Sequence, residues 1–331
     1  MLQRCKTLLA AMMVLLVSQS ALAGSAWDSY KARFLMPDGR IIDTGNNSVS
    51  HTEGQGFAMM MAVMNDDRDS FGKIWGWTNK TLRNPDTGLF YWRYNPVEAQ
   101  PITDKNNATD GDTFIAWALL KAGEKWGNNE YLAASDTIAK AIVTHNVMNY
   151  AGYKVMLPGA KGFDLNSNIN LNPSYFVFPA WRDLGNRSHL MVWKDLINDG
   201  QKLLEKMRFG KGQLPADWIS LYADGRVTPS KQWPARFSYD AIRVPLYVKW
   251  YAPQSPLLEP YKAFWGQYPR NQTPAWVNVA TNDPAPYMMD GGILAVRDFT
   301  LGQLPAGEPQ ITAQEDYYSA SLKMLVSLAA R

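Results

Sequence analysis

"ATDGDTFIAWALLKAGEKW", residues 108–126, is the stretch on which the fold turns. Phe114, Ile115, Ala118, Leu119, Ala122 and Trp126 recur three or four positions apart, which lays them along one face of a helix. Asp110 and Asp112 stand just ahead of that face, on either side of Gly111. Acids in the first turn of a helix satisfy free N–H groups and complement the dipole, so a cap accounts for them cheaply. The same period continues in both directions. "DRDSFGKIWGWTNKTL" (67–82) places Phe71, Ile74, Trp75 and Leu82 near one face, with Trp75, Trp126 and Trp193 read as core. "YLAASDTIAKAIVTH" (131–145) follows, with Asn128 or Asn129 as its cap. "SHLMVWKDLINDGQKLLEKM" (188–207) offers Ser188 as an N-cap, and "DYYSASLKMLVSLAAR" (316–331) closes the chain. "YKVMLPG" (153–159) and "GRVTPS" (225–230) read as hairpins within connections. The expectation is an all-α domain of roughly ten to twelve helices.

The first residues, "MLQRCKTLLAAMMVLLVSQSALAG", have the form of a secretory signal: Arg4 and Lys6, a short apolar run, then Ala21-Leu22-Ala23 before Gly24. Residues 1–23 are therefore expected to be removed, leaving residues 24–331, enough for one large domain or two modest ones, as a secreted or periplasmic protein. The apolar run is too short for a membrane span, and no stable span is expected in the mature chain. The formal charge of +3 falls to near +1 without Arg4 and Lys6, which argues against nucleic acid as a partner. Cys5, the only cysteine, leaves with the signal, so neither a disulfide nor a thiol nucleophile is expected. Thirteen Trp and sixteen Tyr are unusual for a chain of this size; core filling explains them plainly, and a cleft for sugar rings explains them more sharply.

Three acidic spots stand at helix entries, each after a polar stretch and before an apolar run. Besides Asp110 and Asp112, these are Glu53 in "SHTEGQGFAMMMAV" (50–63) and Asp240 in "FSYDAIRVPLY" (237–247). Glu53 is the least typical cap, because Ser, Thr, Asp and Asn lead there. Other chemistry fits poorly. His51, His145 and His189 lie far apart with no metal-ligand spacing, and neither a Walker loop nor a GxSxG motif is present. "DKNNATDGD" has Ala108 and Thr109 where a calcium loop needs a ligand and a glycine. Asp110-Gly111-Asp112 spells the DxD of metal-dependent glycosyltransferases, but it opens a helix instead of following a strand.

Residues 108–126 resemble, position for position, the signature of glycoside hydrolase family 8. "TEGQGFAM" resembles the family's block around its proton donor, and "SYDAIRVPLY" the block around its general base. Thr52, Phe57 and Ala58 depart from the usual Ser, Tyr and Gly, and loss of the tyrosine hydroxyl would alter a hydrogen bond near the donor. The chain is similar to the secreted or periplasmic endoglucanases associated with bacterial cellulose synthesis. The resemblance implies an (α/α)6 barrel, six inner and six outer helices, with a cleft across one end. It implies an inverting endo-β-1,4-glucanase (cellulase) with Glu53 as general acid, Asp240 as general base and Asp110 holding the sugar. It also implies a β-linked polysaccharide substrate, no cofactor or metal, and functional association with a cellulose synthase complex. Chitosan, xylan or mixed-linkage glucan are alternatives within the family. A non-catalytic glycan-binding part of an export apparatus is an alternative outside enzymes.

Trp92 in "FYWRY" matches a cleft tryptophan of the family, and Tyr239, Tyr317 or Tyr318 are further substrate-binding candidates. Arg243, three residues after Asp240, is expected to hold that aspartate ionised or to contact substrate. Glu53 must instead retain a proton, so burial and a charged neighbour are required, and Asp110 is expected beside it. Gly54 and Gly56 are read as permitting tight turns and close approach of a sugar chain, or simply a bend before the helix.

Overall fold

The computed structural model describes residues 25–331. The segment read as a secretory signal, with Cys5, lies outside the described residues. Eleven α-helices dominate among those residues. In chain order, α1 is Ala26–Phe34, β1 Ser50–His51, α2 Thr52–Met64, α3 Arg68–Thr81 and β2 Arg93–Tyr94. Next come α4 Thr109–Trp126, α5 Asn129–Asn146, β3 Val147–Tyr150, β4 Tyr153–Met156 and β5 Asn168–Leu171. They are followed by α6 Phe178–Ser188, α7 Met191–Lys206, β6 Ile219–Tyr222, β7 Val227–Pro229 and β8 Arg236–Phe237. The chain ends with α8 Arg243–Tyr251, α9 Glu259–Trp265, β9 Val277–Asn278, α10 Gly291–Leu301 and α11 Tyr317–Ala329. The strands are short antiparallel pieces in the connections: β1 with β2, β3 with β4, β5 with β6 and β7, β8 with β9. The two expected hairpins are β3–β4 and β6–β7. No helix among the described residues is long and apolar enough to cross a membrane.

Helix α2 is buried nearly all round, from Gly54 to Val63, which explains its run of three methionines. It lies against α4, which is almost equally enclosed. Phe57 meets Phe114 edge-on at 4.7 Å between ring centroids. The expectation of a turn or sugar contact at Gly54 and Gly56 is corrected here, because both lie inside α2 and serve helix packing. A Cβ at Gly56 would stand 2.6 Å from the Phe114 Cβ, and one at Gly54 would stand 2.4 Å from the Tyr317 hydroxyl. Phe57 is likewise a fully buried core residue. The neighbour relations close on themselves: α2 on α4, α4 on α6, α6 on α8, α8 on α10, α10 on α11, and α11 back on α2. The entrances of α2 and α8 therefore lie across this ring from each other.

Side-chain caps start four of the helices, Ser25 at α1, Asp67 at α3, Asn128 at α5 and Asp316 at α11. Asn128 caps α5, its side chain accepting from the N–H groups of Glu130 and Tyr131. Ser188 is no N-cap. It is the last residue of α6, its hydroxyl donates back to the Leu184 carbonyl, and His189 ends the helix at φ 56°. The left-handed residue turns the chain before α7 can begin at Met191. Trp193 is fully buried, and Trp75 and Trp126 are partly buried against the core.

Candidate active site

Glu53, Asp110 and Asp240 come together at one cleft of about 270 Å³, lined also by His51, Thr52, Trp92, Ala108, Tyr175, Tyr239, Arg243 and Tyr318. Glu53 sits in the first turn of α2 and Asp110 in the first turn of α4. Gly111 lets these two helix starts touch, because a Cβ there would stand 2.2 Å from Thr52 Oγ1 and 2.7 Å from the Glu53 nitrogen. The expected neighbourhood of Glu53 and Asp110 follows from that contact. Asp240 precedes α8 in a turn held by Asp217, whose carboxylate accepts from Ser238 N at 2.9 Å, from Ala241 N at 2.8 Å and from the Ser238 hydroxyl.

Arg243 joins the three acids. Its guanidinium lies 2.6 Å from Glu53, 3.2 Å from Asp240 and 3.6 Å from Asp110, and is 3% exposed. The expected contact with Asp240 is present, but the shortest contact is to Glu53, 190 residues away in sequence. A helical i,i+3 argument sees only the local partner. The guanidinium also donates to Ser174 Oγ at 2.9 Å and to the Tyr318 hydroxyl at 3.3 Å.

Burial pushes Asp110 well above the usual carboxylate range, the charges of Glu53 and Asp240 add to this, and Arg243 opposes it. Asp240 is also pushed up, first by burial, with Glu53 adding and Arg243 opposing. One edge of Asp240 opens to the cleft (34% of the side chain), while protein encloses the rest. Asp217 is raised to about 6 by burial and by Asp240. Asp112 does not reach the cleft. It is fully buried, accepts from Phe90 N at 3.1 Å and Asn107 Nδ2 at 2.7 Å, and burial raises it to about 7. It anchors the segment that leads to Trp92.

Trp92 has His51 stacked beside it at 5.8 Å between ring centroids, and its indole donates to Asp104 at 2.8 Å. Tyr239 is exposed at the rim, and Tyr318 donates its hydroxyl to the Tyr239 carbonyl. Tyr317 does not line the cleft and is corrected as a binding residue: it is 3% exposed and packs under α2. Helical period does not separate the pair, since Tyr317 shares a face with Ala320, Met324 and Leu328 and Tyr318 shares one with Ser321, Leu322 and Leu325, all of them buried. Sequence reasoning missed Tyr175, His51 and Asp217. No local pattern marks Tyr175 or Asp217, which lie in connections and reach the site only through the fold.

A larger groove of about 780 Å³ runs along α10, α11 and residues 304–310. Asp298 there is paired with Arg270 and Arg297, and Lys323 with Glu315. Among the described residues, no group of three or more His, Cys, Asp or Glu is arranged to hold a metal ion.

The family model described as "Glycosyl hydrolases family 8" matches residues 1–331. An endoglucanase from Cellulomonas uda is 59% identical over 86% of this chain and 79% of its own. A probable endoglucanase from Novacetimonas hansenii is 39% identical over 92% and 89%. Among solved structures, a family 8 endoglucanase from Klebsiella pneumoniae superposes with a TM-score of 0.91 at 60% identity, covering 92% of this chain and 98% of that one.

Proposed function

The chain belongs to glycosyl hydrolases family 8, and from that premise we propose what its cleft does. It is an endo-β-1,4-glucanase that hydrolyses cellulose or a related β-glucan with inversion at the anomeric carbon. The observation that carries this reading is the meeting of Glu53, Asp110 and Asp240 on one buried guanidinium in an aromatic-lined cleft.

Three carboxylates on one cation would carry two net negative charges if all were ionised. Burial resists that, so the cluster retains a proton, which belongs to the group as a whole. Glu53, at the mouth of α2, delivers this proton to the glycosidic oxygen. Asp240, open to the cleft, takes a proton from a water on the opposite face of the sugar. Asp110 binds the sugar at the cleavage point and offsets the positive charge that develops there. One planar guanidinium spans the facing oxygens of Glu53 and Asp240, so they lie within roughly 8 Å, which admits the ~6.5–9.5 Å spacing of an inverting pair. Trp92, Tyr239 and Tyr318 supply surfaces for sugar rings. Tyr317 supports α2 from below.

The closed order of helix neighbours supports an (α/α)6 barrel with the cleft at the end where α2, α4 and α8 begin. Residues 1–23 serve as a leader that carries the chain out of the cytoplasm, to the periplasm or beyond, and residues 24–331 form one catalytic domain. Likeness to members associated with cellulose synthesis supports a functional association with a cellulose synthase complex.

Turnover of carboxymethylcellulose by the wild type, Glu53→Gln and Asp240→Asn tests the chemistry, with product anomers followed by NMR. The α-anomer should appear first, and each variant should lose about 10²–10⁴-fold in rate. Undiminished turnover in either variant would reject the assigned roles. A wild type inactive on every β-glucan would point to a binding protein.

A further inference from the structure

The aromatic surface of the cleft does not end at Tyr239. Its hydroxyl lies 3.0 Å from that of Tyr287, and the Trp276 indole donates to the Tyr287 oxygen at 3.1 Å. Both residues belong to the connection 274–288 between α9 and α10, which folds back on itself. Ala285 N donates to the Trp276 carbonyl at 2.8 Å, and Ala275 N to the Tyr287 carbonyl at 3.1 Å. Strand β9, inside this connection, pairs with β8 in the register Arg236↔Asn278 and Phe237↔Val277. Two residues after β8 come Tyr239 and Asp240. The connection is thus tied by its backbone to the segment that carries the general base.

One face of Trp276 is covered by Arg236, whose guanidinium carbon lies 3.9 Å from the ring centroid. Tyr287, by contrast, is 48% exposed although hydrogen bonds fix its hydroxyl from both sides. A ring held in place but left bare is already organised for a flat apolar ligand face. Its polar edge is also specified. An indole N–H can only donate, so the Tyr287 oxygen accepts from Trp276. Tyr239 and Tyr287 share a single hydrogen bond, which leaves one of their two hydroxyl hydrogens free for a ligand. An apolar plate with a free donor beside it matches a sugar ring, with C–H faces and acceptor hydroxyls at its rim.

We infer that Tyr287, braced by Trp276, forms an additional subsite for a glucosyl unit one place beyond the unit at Tyr239. The inference rests on the polysaccharide reading of the cleft. Trp92 is anchored at the α2 entrance, where its carbonyl accepts from Thr52 N at 3.0 Å, and Tyr239 stands at the α8 entrance across the ring. A chain that passes Trp92 and the three acids therefore continues over Tyr239 to Tyr287. This subsite makes longer chains better substrates.

The test is kcat/KM on cello-oligosaccharides of increasing length for the wild type, Tyr287→Ala and Tyr287→Phe. In Tyr287→Ala the advantage of long over short substrates should shrink by about five- to tenfold, the scale of one aromatic stack, and mainly through KM. Tyr287→Phe, which keeps the ring, should retain most of that advantage. Loss of equal size at every length, or an unchanged length profile in Tyr287→Ala, overturns the subsite. A wild type active on β-1,4-glucan but indifferent to length also overturns it and leaves the enzymatic reading standing. A wild type that cleaves no β-1,4-glucan removes both.

Discussion

Replacing Arg243 with methionine isolates the contribution of the guanidinium on which three acids converge. Arg243 is the only Arg or Lys lining the cleft among the described residues, and it is almost wholly buried. Methionine keeps much of the side-chain bulk and removes the cation. Deleting one partner of a buried ion pair costs ~3–5 kcal/mol. The cost does not triple with three acids, because a buried carboxylate without a partner takes up a proton instead of staying charged. In the wild type Arg243 pulls both Asp110 and Asp240 downward against burial, so the variant moves both further above their unfolded values. A folded carboxyl with a raised pKa binds a proton that the unfolded chain has released, so stability falls as pH rises through the carboxylate range. The penalty should be ~3–5 kcal/mol at about pH 7.5, where the unfolded acids are fully ionised. It should shrink toward about 1–2 kcal/mol near pH 4, where lost hydrogen bonds to Ser174 and Tyr318 dominate. Urea unfolding followed by tryptophan fluorescence at both pH values measures this. A penalty independent of pH, or larger in acid, would refute the electrostatic account of the cluster.

Asp217→Asn keeps an acceptor for the turn before α8 but removes a charge that repels Asp240. The base should then ionise at lower pH, moving the acidic limb of the pH–rate profile down by up to about one unit, while a looser turn lowers kcat about tenfold; a limb that moves upward would contradict the coupling. Gly111→Ala forces a Cβ against Thr52 and the Glu53 backbone. It should cost about 1–3 kcal/mol in a urea melt and lower kcat by at least about tenfold through displacement of Glu53, and unchanged stability and rate would show that the helix starts can separate freely.

Much of the fold was legible because helices are written locally. The periods in residues 67–82, 108–126, 131–145 and 316–331 each correspond to a helix, and Asn128 caps α5 through bonds to its own next turn. The Ser188 expectation failed where α6 and α7 nearly abut, because His189 takes the left-handed conformation and gives Ser188 to the earlier helix. At the site, the acids were legible as charges placed ahead of apolar runs, and the family signature singled out three of them. The glycines were misjudged because their reason is a neighbouring helix. Gly54 faces Tyr317 and Gly56 faces Phe114, contacts that no local pattern contains.

The sequence by itself determined which segments are helical, which ends carry acids, and which family the chemistry resembles, because each depends on residues within a turn or two of one another. Tertiary structure alone decided that Arg243 grips Glu53 most closely, that Tyr318 and not Tyr317 reaches the cleft, that Asp217 holds the turn of Asp240, and that the Tyr287–Trp276 pair adjoins Tyr239. Those contacts join residues far apart in the chain. They exist only once the ring of helices closes and burial makes each unpaired charge too costly to leave without a partner.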